Sequence, residues 1–175
     1  MSGHNKWSKI KRQKEKTDAQ KSKIFGKLLR MISVEAKMAQ GNPSSPSLKS
    51  AIERARAANV PVDNIERAVK KANETAENLE SIVYEAYGPG GVAIIIEALT
   101  GNRNKAAQEI KFILSRHGLA LAGIGSATWA FEKTHEGWVP RNTVGVSEED
   151  AEKLSALVDE LEENDEVQEV YTNAE

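Results

Sequence analysis

Ten cations, Lys6, Lys9, Lys11, Arg12, Lys14, Lys16, Lys21, Lys23, Lys27 and Arg30, fall within 25 consecutive positions. Only two acids, Glu15 and Asp18, share that stretch. So dense a block of like charge repels itself, and a polyanion is its natural counterpart, because each phosphate neutralised releases counterions. His4 and Trp7 sit among the lysines, and an aromatic ring in a basic arm offers a face on which a base can stack. The plain alternative is a solvated tail with an incidental Trp. No helix-turn-helix, zinc-finger or RNA-recognition pattern is visible, so charge alone does not separate DNA from RNA.

Two further groups could touch a ligand. Tyr87-Gly88-Pro89-Gly90-Gly91 allows close backbone approach, although a turn between strands needs the same residues. Asn102-Arg103-Asn104-Lys105 opens a helix, where free N–H groups and two cations suit an anion; an Asn cap with two exposed cations explains it equally well. Gly123-Ile124-Gly125 precedes a strand instead of following one and lacks a third glycine, so it is no dinucleotide fingerprint. His4, His117 and His135 are too scattered for a metal, no nucleophile–base order is present, and the acids of 148–169 fit the wet side of an amphipathic helix. The expectation is no enzyme activity, no cofactor, no metal and no small-molecule substrate.

Those groups need elements to hold them. Residues 1–17 hold few apolar side chains and are expected to form a flexible arm. A helical period starts near Asp18 through Ile24, Leu28, Met31, Ile32 and Ala39. Gly41-Asn42-Pro43 stops it, and Ser45-Pro46 and Pro61 open two more helices. The polar stretch 73–80 reads as a linker. Strand patterns follow at 81–87 and 92–99, the second so apolar that both its faces must be covered. A helix over 103–117 ends at Gly118, Ser126 to Phe131 reads as a strand, and Trp138-Val139 as a short one. A helix capped by Ser147 and a strand over 167–172 close the chain. From residue 92 the order is the split β-α-β-β-α-β unit. The expected class is α+β: a basic three-helix domain over 1–76, then a ferredoxin-like sandwich over 77–175 with an extra strand in front.

Composition hides this division. The net charge is −2, yet residues 1–71 hold 17 Lys and Arg against 6 acids and the remainder holds 7 against 20. A +11 part is joined to a −13 part. The absence of cysteine excludes disulfides, thiol catalysis and Cys-ligated metal. No apolar run approaches the roughly 18–20 residues of a membrane span. No apolar region follows the basic start, and the start is richer in Lys than a mitochondrial presequence. The cytoplasm is the expected location.

Six stretches in order resemble the YebC family, which includes bacterial probable transcriptional regulators and the mitochondrial translational activator of cytochrome oxidase subunit one. They are Gly3-His4-Asn5-Lys6-Trp7 with Ile10-Lys11; Lys23, Phe25, Lys27 and Arg30; Asp63 to Ala68; Tyr84 to Gly91; Asn102-Arg103-Asn104; and Val167 to Tyr171. Asn5 stands where the family usually has Ser, and Ala86 where it has Gly. The resemblance implies a nucleic-acid-binding regulator whose target is DNA, ribosomal RNA or the ribosome. It also implies that the chain is a short form, without the third small domain that the family inserts after the strand ending near residue 133. The other function class compatible with the charge split is a protein-interaction adaptor whose oppositely charged halves bind each other or a second copy.

Overall fold

The computed structural model describes residues 7, 16–72, 74, 78–135 and 137–175, which form two compact units. One spans residues 16–79. The other spans 80–175 together with the N-terminal residues, of which Trp7 is described.

The first unit is three helices, α1 (Asp18–Met38), α2 (Pro46–Ala57) and α3 (Val62–Lys71). A reciprocal capping box fixes the start of α1. The Thr17 hydroxyl accepts from the Gln20 N–H at 3.2 Å, and the Gln20 side chain accepts from the Thr17 N–H at 2.9 Å. Gln40 and Gly41, both at positive φ, end the stretch. Pro46 opens α2 as expected, although the Ser45 side chain makes no capping bond. The core is small: Ile32 and Ala36 from α1, Leu48, Ala51 and Ala55 from α2, Val60 before α3, Ile65 on α3 and Ala72 beyond it.

The second unit is α+β. Its order is β1 (Glu80–Tyr87), β2 (Ala93–Thr100), α4 (Arg103–Arg116), β3 (Leu121–Ala122), β4 (Phe131–Thr134), β5 (Gly137–Pro140), α5 (Glu148–Glu163) and β6 (Val167–Thr172). The antiparallel sheet runs β3-β1-β2-β6, with Tyr87 opposite Ala93 and Glu80 opposite Thr100. Helices α4 and α5 start where Asn102 and Ser147 accept the N–H of the residue three positions on, and Gly118, at φ 71°, follows α4.

All eight residues of β2 are buried, so this strand is covered on both faces as its composition predicts. Ile94, Ile96 and Ala98 meet Ile110 and Leu114 of α4 and Leu154, Leu157 and Leu161 of α5. Ala93 and Ile95 face the other way, against Ala127, Ala130, Phe131, Trp138 and Tyr171. Strands β4 and β5 therefore form a separate hairpin that roofs the second face.

The α+β class stands, but the strand roles differ from those read out of the split unit. Residues 126–131 do not form a sheet strand. Thr128–Ala130 is a single 3₁₀ turn, and pairing begins only at Phe131. The strand expected as an extra, β1, holds the inner place beside β2. The cause is a tight connection: Gly88 donates to the Val92 carbonyl at 2.8 Å, closing a hairpin in which β1 must lie against β2. Among the described residues no helix is long and apolar enough to cross a membrane.

Candidate nucleic-acid interface

Helix α1 positions the described part of the basic block. Lys16 and Lys21 are exposed, and Lys23, Lys27 and Arg30 are half-buried. Spacings of four and three put the last three on one side of the helix. Nine positions separate Lys23 from Ile32 and Lys27 from Ala36, two and a half turns of a 3.6-residue helix. The cations thus line the side of α1 opposite its two buried residues. His4, Lys6, Lys9, Lys11, Arg12 and Lys14 lie outside the described residues.

Trp7 overturns the expectation of a stacking aromatic in a coreless arm. It is only 7 % exposed and belongs to the core of the α+β unit, in the cluster of Ala86, Val92, Ile94 and Leu154. Its backbone is helical. A buried indole presents no face to a base. The physical reason is area: a Trp side chain has about 150–250 Å² to bury, and a core is where that gain is realised.

The second candidate group occupies the β1–β2 turn and the start of α4. A Cβ added to Gly88 would meet Ile94 Cδ1 at 2.7 Å and Leu154 Cδ1 at 3.4 Å, so any side chain there would have to displace the end of Ile94 in the core. Pro89, Gly90 and Gly91 form one 3₁₀ turn, with Gly90 and Gly91 at positive φ. The Tyr87 hydroxyl donates to the Ser126 carbonyl and accepts from Trp129 Nε1 at 3.0 Å. Arg103 is paired with Glu80 at 3.0 Å. Lys105 lies 3.1 Å from Glu166 and 3.9 Å from Glu109. The Glu166 hydrogen bond and charge, then the Glu109 charge, hold the Lys105 ammonium above its ordinary pKa. Asn102 caps the helix from within the chain. Both cations therefore face carboxylates of the same unit.

Besides Glu166, the partner of Lys105, two more buried carboxylates were not singled out by sequence. Glu85, on β1, accepts from the N–H groups of Gly125, Ala127 and Thr128 at 2.7, 2.9 and 2.7 Å. Burial pushes its pKa up, but those three donors with the Thr128 side chain outweigh burial and hold it below the ordinary carboxylate value. Glu97, on β2, accepts from Lys133 Nζ at 2.5 Å and from Trp138 Nε1 at 3.0 Å, and so ties the hairpin to the sheet. Lys133 also sits 4.9 Å from the Trp138 ring centre. The available signal was an acid inside an otherwise apolar strand, which must find donors or be excluded. The hairpin approaches β6 closely at Gly137, where a Cβ would collide with the Tyr171 ring.

Comparison with known proteins follows this architecture along the chain. The model of the TACO1/YebC protein N-terminal domain matches residues 5–75. That of the TACO1/YebC second and third domain matches residues 79–136 and 133–174, two segments that meet at the tip of the β4–β5 hairpin. A probable transcriptional regulatory protein of Thermosipho africanus is 40 % identical over 237 aligned positions, covering 100 % of this chain and 94 % of the relative. One from Thermoanaerobacter pseudethanolicus is 38 % identical over 239, covering 100 % and 97 %. In the crystal structure of a conserved hypothetical protein from Aquifex aeolicus the likeness covers 93 % of each chain, with a TM-score of 0.76 and 32 % identity.

Proposed function

The chain belongs to the TACO1/YebC family, and from that premise we propose that this YebC-type regulator works by gripping the phosphate backbone of a nucleic acid with its basic N-terminal part. The observation that carries this is the charge division. Residues 1–71 hold 17 cations against 6 acids, and Lys23, Lys27 and Arg30 of α1 line the side away from its buried residues. Within 16–79 there are 12 Lys and Arg for 7 acids, so carboxylates of that unit cannot neutralise them one for one. Lys16, Lys21, Lys23, Lys27 and Arg30, with His4, Lys6, Lys9, Lys11, Arg12 and Lys14 from the sequence, form the proposed grip. Tyr87 and the Gly88–Gly91 turn build the β1–β2 connection of the acidic unit, where Arg103 and Lys105 pair with Glu80 and Glu166. The proposed protein is a non-enzymatic, cytoplasmic regulator with two domains, and it is a short form, an assignment supported by alignments longer than the chain itself.

The names of the relatives favour duplex DNA as the first ligand to test, with a structured ribosomal RNA fragment as the second. Six to ten phosphate contacts lower affinity by about 10³–10⁵ between 50 and 200 mM salt. Affinity that does not respond to salt refutes the proposal. Salt-dependent self-association of nuclease-treated protein, with no nucleic-acid binding, would support the adaptor role favoured by the opposite charges of its two parts.

A further inference from the structure

We propose that the outer edge of β1 is a docking site for an extended, basic segment of a partner protein, which adds there as a further antiparallel strand. The site stands apart from the phosphate grip, because all its residues lie in the α+β unit. Strand β1 pairs with β2 along its whole length, from Glu80 to Tyr87. On its other side β3 pairs with only Glu85 and Ala86. The bond from the Gly88 N–H to the Val92 carbonyl fixes the phase of the β1–β2 ladder. Pairs in an antiparallel ladder alternate, so Ile82, Tyr84 and Ala86 turn their backbone polar groups toward β2, and Ser81, Val83 and Glu85 turn theirs away. Glu85 lies opposite Ala122 of β3. Among the described residues no strand lies opposite Ser81 or Val83 on that side, and both are exposed.

Folded proteins guard an open edge with Lys or Pro, and Ser81-Ile82-Val83-Tyr84 has neither. A groove of about 390 Å³ opens beside these residues, lined by Ile82, Tyr84, Arg103, Ala107, Leu121 and Ile124. Ile124 is fully exposed. Open N–H and C=O groups beside an apolar groove are what an added strand uses: the ladder supplies affinity, and every second side chain enters the groove. In antiparallel register the guest residues opposite Ile82 and Tyr84 fill the groove. The residues between them exchange hydrogen bonds with Ser81 and Val83. Charge selects the guest. Residues 80–175 hold 18 acids against 7 cations, and the Arg103 that lines the groove is already paired with Glu80. The field of this unit therefore draws a cationic segment and repels an acidic one.

The test uses the nuclease-treated full chain and a fluorescent nine-residue peptide alternating Lys and Val. N-methylation of its Lys amides, which removes the N–H groups facing β1, is expected to weaken binding at least about tenfold. N-methylation of its Val amides, which face solvent, leaves binding unchanged. A peptide with Glu in place of Lys binds at least about tenfold more weakly. In the protein, Val83→Pro removes one outward N–H that β2 does not use, and lowers affinity for the parent peptide about tenfold. Hydrogen exchange at β2 shows whether the sheet has survived. Ala107→Gln keeps the edge and the helix intact, partly fills the groove and weakens binding by a similar factor.

Equal affinity of the two methylated peptides overturns strand addition, since the acids alone would then hold the peptide. Wild-type affinity in Ala107→Gln overturns the groove, and equal binding of the Glu peptide overturns the basic partner. Dimerisation that Val83→Pro abolishes, in a chain that binds no peptide, assigns the edge to a second copy and overturns the proposal.

Discussion

The two units of this chain solve the problem of stability in opposite ways. Among the largest fully buried side chains only Ile32 belongs to the helical unit; the others, from Val92 to Leu161, lie in the α+β unit. Half of the eight buried residues in the helical cluster are alanines. Among the described residues, the buried polar ones, Glu85, Glu97, Thr100, Ser155, Glu166 and Asn173, are all in the α+β unit. That unit closes both faces of β2 and pairs several exposed cations with its own acids, as Arg103, Lys105, Arg116 and Lys133 show. The helical unit has a thin core and carries an excess of positive charge. A thick core with satisfied charges suits a scaffold, and a thin core with an excess of one sign suits a surface that meets a partner.

This contrast can be broken most forcefully at β2. Ile95 is fully buried against the hairpin, and Ile95→Ala is expected to destabilise the α+β unit by about 2–5 kcal/mol. The half-buried Met31 of α1, cut to Ala, should cost well under half of that. Denaturant unfolding followed by hydrogen exchange separates the two units. Equal losses would show that the helical core is as tightly built.

Glu85→Gln comes next, with an expected loss of about 1–3 kcal/mol, because an amide cannot satisfy three converging N–H donors as a carboxylate does. The effect carries a pH signature. The folded pKa lies below the ordinary value, so this stability is fully present above about pH 4.3 and is lost as pH falls from there through the folded pKa. The Gln variant should lack that part of the acid dependence, and a pH series of melting temperatures reads it.

The smallest effects are the helix caps. Thr17→Ala and Ser147→Ala should each cost about 1 kcal/mol. Their consequences diverge: Thr17→Ala should fray the first turn of α1, next to Lys16 and Lys21, whereas Ser147→Ala should leave nucleic-acid affinity unchanged. An affinity loss in Ser147→Ala would place the α+β unit in the interface.

Much of this architecture is written locally. The starts of α1, α2, α4 and α5, the stop at Gly118 and the double burial of β2 follow from caps, glycines and apolar runs within a few residues of each other. What escaped local inspection depends on distant partners. Residues 126–131 alternate like a strand, but the N–H groups of Ala127 and Thr128 are taken by Glu85, some forty positions away, and cannot join a ladder. Arg103 and Lys105 suit an anion site and a cap with exposed cations equally well in the sequence, which does not show that Glu80 and Glu166 lie beside them. Trp7 is the extreme case: nothing in a lysine-rich stretch announces that its one Trp belongs to a core built from residues 86–174.

The central claim is that positive charge in the N-terminal part, and not charge in general, holds the ligand. The direct measurement compares two full-length variants in salt titrations against the same duplex. One carries Gln at Lys16, Lys21, Lys23, Lys27 and Arg30; the other carries Gln at Arg103, Lys111, Arg116, Arg141 and Lys153. The first should lose up to about 4.5 from the slope of log affinity against log salt, at about 0.9 per phosphate contact removed, and the second should keep the wild-type slope. Equal losses in the two variants, or an unchanged slope in the first, would contradict the account.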